Sequence, residues 1–464
     1  MSLSTIILAA GRGTRMCSDT AKVLHRLCGR PLVEYPIRLA QALGSERIVL
    51  VVGHQAEAVR AAVHARFGPD AVQLALQAEQ RGTGHAVLQA LPLVADVSGK
   101  VLILYGDTPL LRADTLQPLI QAARGRLLAL LSTRPPDPRG YGRLLRQGGR
   151  LVRVVEDRDC SEAERLIPEV NAGMYVIEAG FLREALTTLR SDNAQGELYL
   201  TDIVAQAAAR DEVAVVEAPF EEVQGINDRL DLAHAEAAMR RRINEAHLRA
   251  GVTMRDPATT FIDEDVIIGR DTELGPGVIL RGRCRIGVGC RIEAGCVLTD
   301  VTVGDQCHLK PYTVAQDSVI GPRVQLGPFA HLRPGSELAE DVHIGNFVEL
   351  KKTRMGRGAK ANHLTYLGDA EVGQRVNVGC GTITCNYDGY AKHRTIIEDG
   401  AFIGSDTQLV APVRVGAGAV VGAGTTVVQD VPPGALALSR APQINREGYA
   451  ERRHKRREQA RGDN

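Results

Sequence analysis

The sequence has no tryptophan, and aromatic residues of all kinds make up only 4% of it. With 48 glycines in their place, the composition is that of a chain rich in tight turns. Net charge is also missing. Lysine and arginine number 56 against 55 aspartate and glutamate, which excludes a general attraction to nucleic acid or to an anionic membrane. No apolar run reaches the roughly 18 residues of a membrane span. The nine cysteines lack the regular spacing of a disulfide framework, so a reducing, cytoplasmic compartment is expected. The N-terminus lacks the basic start of a signal peptide and runs from Met1 into a first strand. At 464 residues the chain has room for two or three full cores.

What the sequence does have is a repeat in its second half, from about Ile262 to Val427. An aliphatic residue followed by glycine recurs there with a basic period of six, as in Ile268-Gly269, Leu274-Gly275, Ile286-Gly287, Ile344-Gly345, Val372-Gly373 and Val421-Gly422. This period is far from that of a helix and suits a solenoid with one inward aliphatic and one small residue per short face. Cys284, Cys290 and Cys296 each lie two positions before an inward aliphatic. They read as small-slot residues, since a metal site would bring CxxC spacing or nearby histidines. The interval Ile344 to Val372 accommodates rungs near Leu350, Met355, Ala361 and Leu367. The interval Val378 to Ile403 contains the polar stretch Asn386–Lys392, which cannot supply an inward aliphatic and is expected to loop out. The same irregular part holds Lys351, Lys352, His363, Tyr366 and Asn377.

The first half alternates apolar runs with helical patterns, as in an α/β domain with a mainly parallel sheet. Strands are expected at Thr5–Ala10, Ile48–Val52, Val101–Tyr105, Leu127–Leu131 and Gly173–Ile177. Ligands of such sheets bind at the carboxyl ends of strands. Strand one runs into LAAGRGTRM (Leu8–Met16) and on to Lys22; Gly11 and Gly13 let backbone amides approach an anion, and Arg12, Arg15 and Lys22 supply positive charge. The motif has neither the third glycine of GxGxxG nor the GK[ST] of a P-loop, so phosphate binding and an ordinary turn both remain open. Asp107, at the end of another strand, reads equally as a Mg²⁺ ligand or as the cap of the next turn.

Taken with Gln77-Ala-Glu-Gln-Arg-Gly82-Thr83-Gly84-His85-Ala86, Tyr105-Gly106-Asp107, Gly140-Tyr-Gly142-Arg, Glu156, Asn171-Ala-Gly173, Gly196–Asp202 and Gly225-Ile-Asn227, this half resembles the sugar-1-phosphate nucleotidyltransferases of the N-acetylglucosamine-1-phosphate uridyltransferase type. The resemblance implies a Rossmann-like domain over residues 1–227. It implies that Leu8, Ala9, Ala10, Gly11, Gln77, Gly82 and Thr83 hold uridine, and that Arg15 and Lys22 grip the triphosphate of UTP. Tyr105, Gly142, Glu156 and Asn171 would take the sugar, Gly106 would belong to the same UTP/UDP-N-acetylglucosamine site, and Asp107 with Asn227 would take Mg²⁺. One departure is Ala21, where the family usually has proline; its loss is expected to loosen the loop. Phosphoryl-type transfer needs positioning and charge neutralisation more than a protein nucleophile, which agrees with this set.

Residues 228–250 are rich in helix formers, contain neither glycine nor proline, and stop before Gly251 with Pro257 beyond. One linker helix is expected, with Arg240–Arg242 on a solvated face.

The hexapeptide repeats over 251–464 resemble the left-handed parallel β-helix of acyltransferases. Individual residues match as well: Arg333, Gly345–Lys352, Asn362–Asp369, Asn377, Gly381–Gly389, Gly404–Asp406, Ala423 and Arg440 look like the acetyltransferase half of the bifunctional enzymes that make UDP-N-acetylglucosamine. The resemblance implies a homotrimer with acetyl-CoA bound between neighbouring solenoids. A lone histidine in a solenoid is ordinarily a surface residue. Here, beside Lys351 and Tyr366, His363 is the candidate base that takes the proton of the attacking amine. Arg333 and Lys351 offer cations for the phosphate of glucosamine-1-phosphate, with Tyr366 and Asn377 beside them. Asn386 and Tyr387 would orient the sugar, and Cys380, Ser405, Ala423 and Arg440 would contact the coenzyme or its acetyl group. Cys380 stands where the family usually has alanine. The charged segment Tyr449–Asn464 reads as a frayed or helical tail, not a nucleic-acid site.

The expectation is therefore a two-site enzyme using small-molecule substrates. The rival readings are a single nucleotidyltransferase with a trimerising solenoid, and a non-catalytic scaffold.

Overall fold

A computed structural model describes residues 2–462. The chain divides into two compact units, one running to Glu245 and including Ile262–Glu264, the other comprising Ala246–Phe261 and the residues from Asp265 on.

The first unit is a twisted sheet between two layers of helices. Its strands are β1 (Leu3–Ala9), β2 (Arg47–Val52), β3 (Gln73–Leu76), β4 (Lys100–Tyr105), β5 (Leu128–Thr133), β6 (Arg143–Gln147), β7 (Arg150–Val155), β8 (Val170–Glu178) and β9 (Ala214–Glu217). The sheet order is β9-β5-β8-β4-β1-β2-β3, and the hairpin β6–β7 joins through β8. Pairing along this order is parallel except at β8, which runs antiparallel to both β4 and β5. The central strands are apolar on both faces because both faces are covered. Ile6 and Ile103 pack under helices Thr83–Ala90 and Ala179–Thr187; Ile7, Leu50 and Leu104 pack under Glu34–Ala42 and Ala113–Ala122. Three of the five expected strands begin or end two or three residues away from the observed limits, and the other two begin one residue late. The edge strands β3 and β9 and the hairpin β6–β7 carry too short or too polar a pattern to stand out.

The helix Arg229–Arg249 is 21 residues long. Its Arg240–Arg242 run is not one solvated face. Arg241 is exposed, but Arg242 turns inward and donates to the carbonyl of Leu110 at 2.5 Å. The side chain is partly buried and its head finds a carbonyl, a common fate of arginine on an amphipathic helix.

The second unit is a parallel β-helix. Ile268, Ile286, Val303, Ile320, Leu338, Met355, Val372, Ile397 and Val415 stack in register on successive coils. Most coils take 17 or 18 residues, but the coil from Val372 to Ile397 takes 25, and the surplus forms the excursion. Leu350, Met355, Ala361 and Leu367 are all buried. So are Cys284, Cys290 and Cys296, together with Cys307. Among the described residues no cluster of three metal-ligating side chains occurs. Asn386 departs from expectation: it stays inside the coil at 7% exposure, and the excursion begins at Tyr387. The reason is a hydrogen bond of 2.6 Å from its amide to the Asp369 carboxylate, which a solvated loop residue would not need.

The corners of the coils are turned by residues in the left-handed region, where Gly, Asn and Asp are at ease and bulky side chains are not. One corner nevertheless carries Tyr312, Phe329, Phe347 and Leu364, with φ of 60°, 56°, 55° and 44°. The three rings stack at centroid spacings of 5.3 Å and all are about half exposed. The tail is the helix Tyr449–Gly462, exposed over residues 449–460; the last two residues of the expected segment lie outside the described residues. No described helix is long and apolar enough to cross a membrane.

Candidate functional sites

In the first unit the carboxyl ends of β1 and β4 open into two adjoining cavities. One, of about 260 Å³, is lined by Leu8, Ala9, Ala10, Gly11, Lys22, Gln77, Gly82 and Thr83. The other, of about 420 Å³, is lined by Arg15, Gly142, Glu156, Asn171 and Asn227. Thr83, Tyr105 and Asp107 belong to both, so the two form one cleft with Asp107 at the junction.

The first cavity is built from backbone and amides. Gln77 donates to the Gly82 carbonyl at 3.2 Å, Gln80 donates to the Ala10 carbonyl at 2.6 Å, and Thr83 accepts the Leu200 N–H at 3.2 Å. Gly82 has φ 97°, and a Cβ there would meet the Leu198 carbonyl at 2.6 Å, so the position admits only glycine. Gly106 does not line the cleft: a Cβ on it would press on Ala9, and its role is close packing of strand ends. Gln80 is a lining residue that the sequence reading did not single out, although it lies within the matched QAEQRGTGHA string.

The second cavity is polar and partly desolvated. Glu156 accepts from the Thr201 hydroxyl at 2.8 Å, and burial raises its pKa above the usual carboxylate value, with Asp202 and Asp159 adding to the shift. Asn171 donates to the Tyr175 hydroxyl at 2.6 Å and takes the Gly173 N–H at 3.1 Å. Burial likewise raises the Tyr105 phenol. Its ring rests on Gly173, where a Cβ would lie 2.7 Å from the ring.

At the junction Lys22 is ion-paired with Asp107, and Arg15 donates to the Asn227 side-chain oxygen at 2.9 Å. The Ile226 N–H bonds the Asp107 carbonyl at 2.9 Å, which draws the Gly225–Asn227 segment against that strand end. Asp107 and Asn227 thus present hard oxygen donors already attended by cationic groups. One carboxylate and one amide oxygen, with no cluster of three metal-ligating side chains among the described residues, is the kind of donor set a Mg²⁺ ion can use, since it keeps several waters and takes its remaining ligands from phosphates.

In the second unit the candidates fall into two groups. The strand Lys360–Gly368 lies in register on His343–Lys351, placing His363 beside Asn346 and Tyr366 beside Glu349. His363 Nδ1 meets the Asn346 side-chain oxygen at 2.7 Å. From His363 a column continues across successive coils. Gly381 N–H bonds the Leu364 carbonyl, Asp406 N–H bonds the Cys380 carbonyl, and Gly424 N–H bonds the Ser405 carbonyl, so His363, Cys380, Ser405 and Ala423 are stacked neighbours. Asn377 lies on the strand just before Cys380. Arg440 lies beyond the last strand of the β-helix and is exposed.

The second group flanks the next face. Arg333 pairs with Glu349 at 2.9 Å, and its N–H bonds the Leu350 carbonyl next to Lys351. The excursion closes on itself through a bridge between Tyr387 and Lys392, and Tyr387 donates to the Gly389 carbonyl at 2.6 Å, so its phenol turns to its own loop. Lys392 comes back against Lys351. That ammonium, followed by burial and then Arg333, lowers the Lys351 pKa below the ordinary lysine value. Tyr366, Gly368 and Asn386 are packed together at the same place. Lys392 and Asn346 were both missed as site residues. The coil length of 17 or 18 residues is the signal that would have put 346 beside 363.

Residues 5–147 match the model of the MobA-like NTP transferase domain, 257–355 the GMPPB C-terminal domain, and 394–429 the bacterial transferase hexapeptide, whose repeat is that of the left-handed β-helix. The chain is 52% identical over 454 residues to the bifunctional protein GlmU of Pelobacter propionicus, covering 97% of this chain and 98% of that one. It is 53% identical to the GlmU of Anaeromyxobacter sp. strain Fw109-5, covering 97% and 93%, and 50% identical to that of Geobacter sulfurreducens, covering 97% and 98%. Likeness of this degree over nearly the full length of both chains places the chain in the bifunctional GlmU family, enzymes that join a UDP-N-acetylglucosamine pyrophosphorylase to a glucosamine-1-phosphate N-acetyltransferase.

Proposed function

We propose that the residues gathered in the two units carry the two reactions in sequence: acetylation of glucosamine-1-phosphate by acetyl-CoA in the solenoid, then coupling of the product to UTP in the cleft of the first unit. In the solenoid the substrate amine attacks the thioester carbonyl, its proton passes to Nε2 of His363, and as the C–S bond breaks His363 hands that proton to the departing sulfur, so that coenzyme A leaves as the thiol. The acceptor oxygen of Asn346 keeps the other proton on Nδ1 and leaves Nε2 free. Arg333, Lys351 and Lys392 bind the phosphate, Tyr366, Asn377, Asn386 and Tyr387 bind the sugar, and Cys380, Ser405, Ala423 and Arg440 bind the coenzyme. The observation that carries this reading is the meeting of Arg333, Lys351 and Lys392 from three different coils, that of Lys351 lying directly against the one that bears His363. A solenoid that only trimerised would gain nothing from crowding three cations together.

In the first unit a phosphate oxygen of N-acetylglucosamine-1-phosphate attacks the α-phosphorus of UTP as the α–β bridging bond breaks and pyrophosphate leaves. Leu8–Gly11, Gln77, Gly82 and Thr83 hold the nucleoside, Arg15 and Lys22 the triphosphate, and Tyr105, Gly142, Glu156 and Asn171 the sugar. Asp107 and Asn227 would hold Mg²⁺, which supplies charge neutralisation at the phosphates.

The chain works as a homotrimer in this reading. The ladder Tyr312, Phe329, Phe347 and Leu364 accepts a strained backbone to present stacked, exposed rings beside His363, and residues held in such conformations cluster where function requires them. The test is release of free thiol from acetyl-CoA on adding glucosamine-1-phosphate. Release by the intact chain that His363→Ala abolishes supports the reading; no release from an intact trimer reduces the solenoid to a scaffold.

A further inference from the structure

Gln55 stands at the N-cap position of the helix Ala56–Phe67, in the left-handed region with φ 56°, yet its side chain caps nothing in that helix. It reaches the phosphate loop instead. Its Oε1 accepts the Ala21 N–H at 2.9 Å, and its Nε2 donates to the Asp19 carbonyl. Donating and accepting at once from one planar head is a property of a primary amide, which a carboxylate or an ammonium lacks. The two backbone groups so held lie immediately before Lys22. Past them Val23 is buried in the core, so the backbone on both sides of Lys22 is fixed. The Gln55 segment is itself pressed on the site: a Cβ on Gly53 would lie 2.7 Å from the Ala10 carbonyl. Where proline would have fixed this loop through its ring, hydrogen bonds to Gln55 hold it here. Ala21 has an N–H, and Gln55 uses it.

We propose that Gln55 is a positioning residue for uridylyl transfer: it clamps Asp19–Ala21 so that the Lys22 ammonium is presented at Asp107, where the triphosphate arrives. The proposal rests on the reading of Lys22 as a triphosphate ligand. It does not rest on any contact of Gln55 with substrate.

The test is pyrophosphate release from UTP and N-acetylglucosamine-1-phosphate by the full chain, with acetyl transfer by the same preparation as the control for folding. Gln55→Ala is expected to lower kcat/KM for UTP about ten-fold, the equivalent of the lost clamp, with acetyl transfer unchanged. Gln55→Glu, which keeps the acceptor and loses the donor, falls between. The discriminating variant is Ala21→Pro in the Gln55→Ala background. Ala21 has φ −52°, within reach of proline, and without Gln55 its N–H has no partner to lose, so the ring fixes the loop and restores most of the activity. A purely stabilising Gln55 would show a lowered Tm without this specific rescue. Should Gln55→Ala fold poorly, Gln55→Met carries the same test. The proposal is overturned if Gln55→Ala stays within about two-fold of the parent while Lys22→Ala loses on the order of a hundred-fold, or if Ala21→Pro gives no recovery. Full activity of Lys22→Ala would instead remove the reading of Lys22 on which the proposal stands.

Discussion

The contact between His363 and Asn346 makes a quantitative prediction. An amide oxygen only accepts, so at 2.7 Å it selects the tautomer with the proton on Nδ1 and directs the Nε2 lone pair outward. Asn346→Ala removes that partner without touching the base. A neutral hydrogen bond contributes about 1 kcal/mol net, and the freed ring also spends part of its time in the wrong tautomer or rotamer, so the loss is about 1–2 kcal/mol, or roughly 5- to 30-fold in kcat. Deleting the base itself is larger, on the order of 10²–10⁴. The KM for glucosamine-1-phosphate should stay within about two-fold, because the bond acts on proton transfer and not on substrate binding. Thiol release under saturating acetyl-CoA measures kcat, and pyrophosphate release by the same sample reports on the first unit, which the change should not affect. A kcat within about two-fold of the parent would refute the orienting role. So would a fall as deep as that of His363→Ala, which would mean that Asn346 meets the substrate directly.

The raised pKa of Glu156 means that folding favours its neutral form, so its charge opposes stability above the unfolded pKa, increasingly as pH rises through the folded one. Glu156→Gln should therefore raise the Tm at neutral pH, as read by calorimetry, while lowering sugar-dependent uridylyl transfer; a lower Tm would show that the charge is not strained. Lys392→Ala should raise the acetyltransferase KM for glucosamine-1-phosphate about five-fold, as a lost charge-assisted contact would. Because Lys392 is the largest cause of the low Lys351 pKa, Lys351 sheds its charge earlier as pH rises in the parent than in the variant. The alkaline rise in KM should accordingly move to higher pH in Lys392→Ala, and an unmoved limb would place Lys392 elsewhere.

Regular features were legible in the sequence because they follow from one-dimensional rules. The inward column through Leu350, Met355, Ala361 and Leu367 is a period, and a buried rung needs only the right residue at the right step. Long matched strings likewise marked the two cavity walls of the first unit. What the sequence hid were side chains whose partners arrive from elsewhere in the chain. Asn386 is a polar residue in a polar stretch until Asp369 is placed beside it. Arg242 belongs to a basic run until the Leu110 carbonyl takes its head. Lys392 joins the cation group only because the excursion closes back on its own base. Gln55 lies 33 residues after Lys22 on a different strand end. Position relative to a fold, not residue type, gives each of these its role.

The central claim is that one chain carries two independent reactions, and reciprocal inactivation tests it most directly. Thiol release with glucosamine-1-phosphate and pyrophosphate release with N-acetylglucosamine-1-phosphate are measured on the same preparations of the parent, Asp107→Ala and His363→Ala. The account predicts that Asp107→Ala loses pyrophosphate release and keeps thiol release, and that His363→Ala does the reverse. Loss of both activities in either folded variant would contradict it.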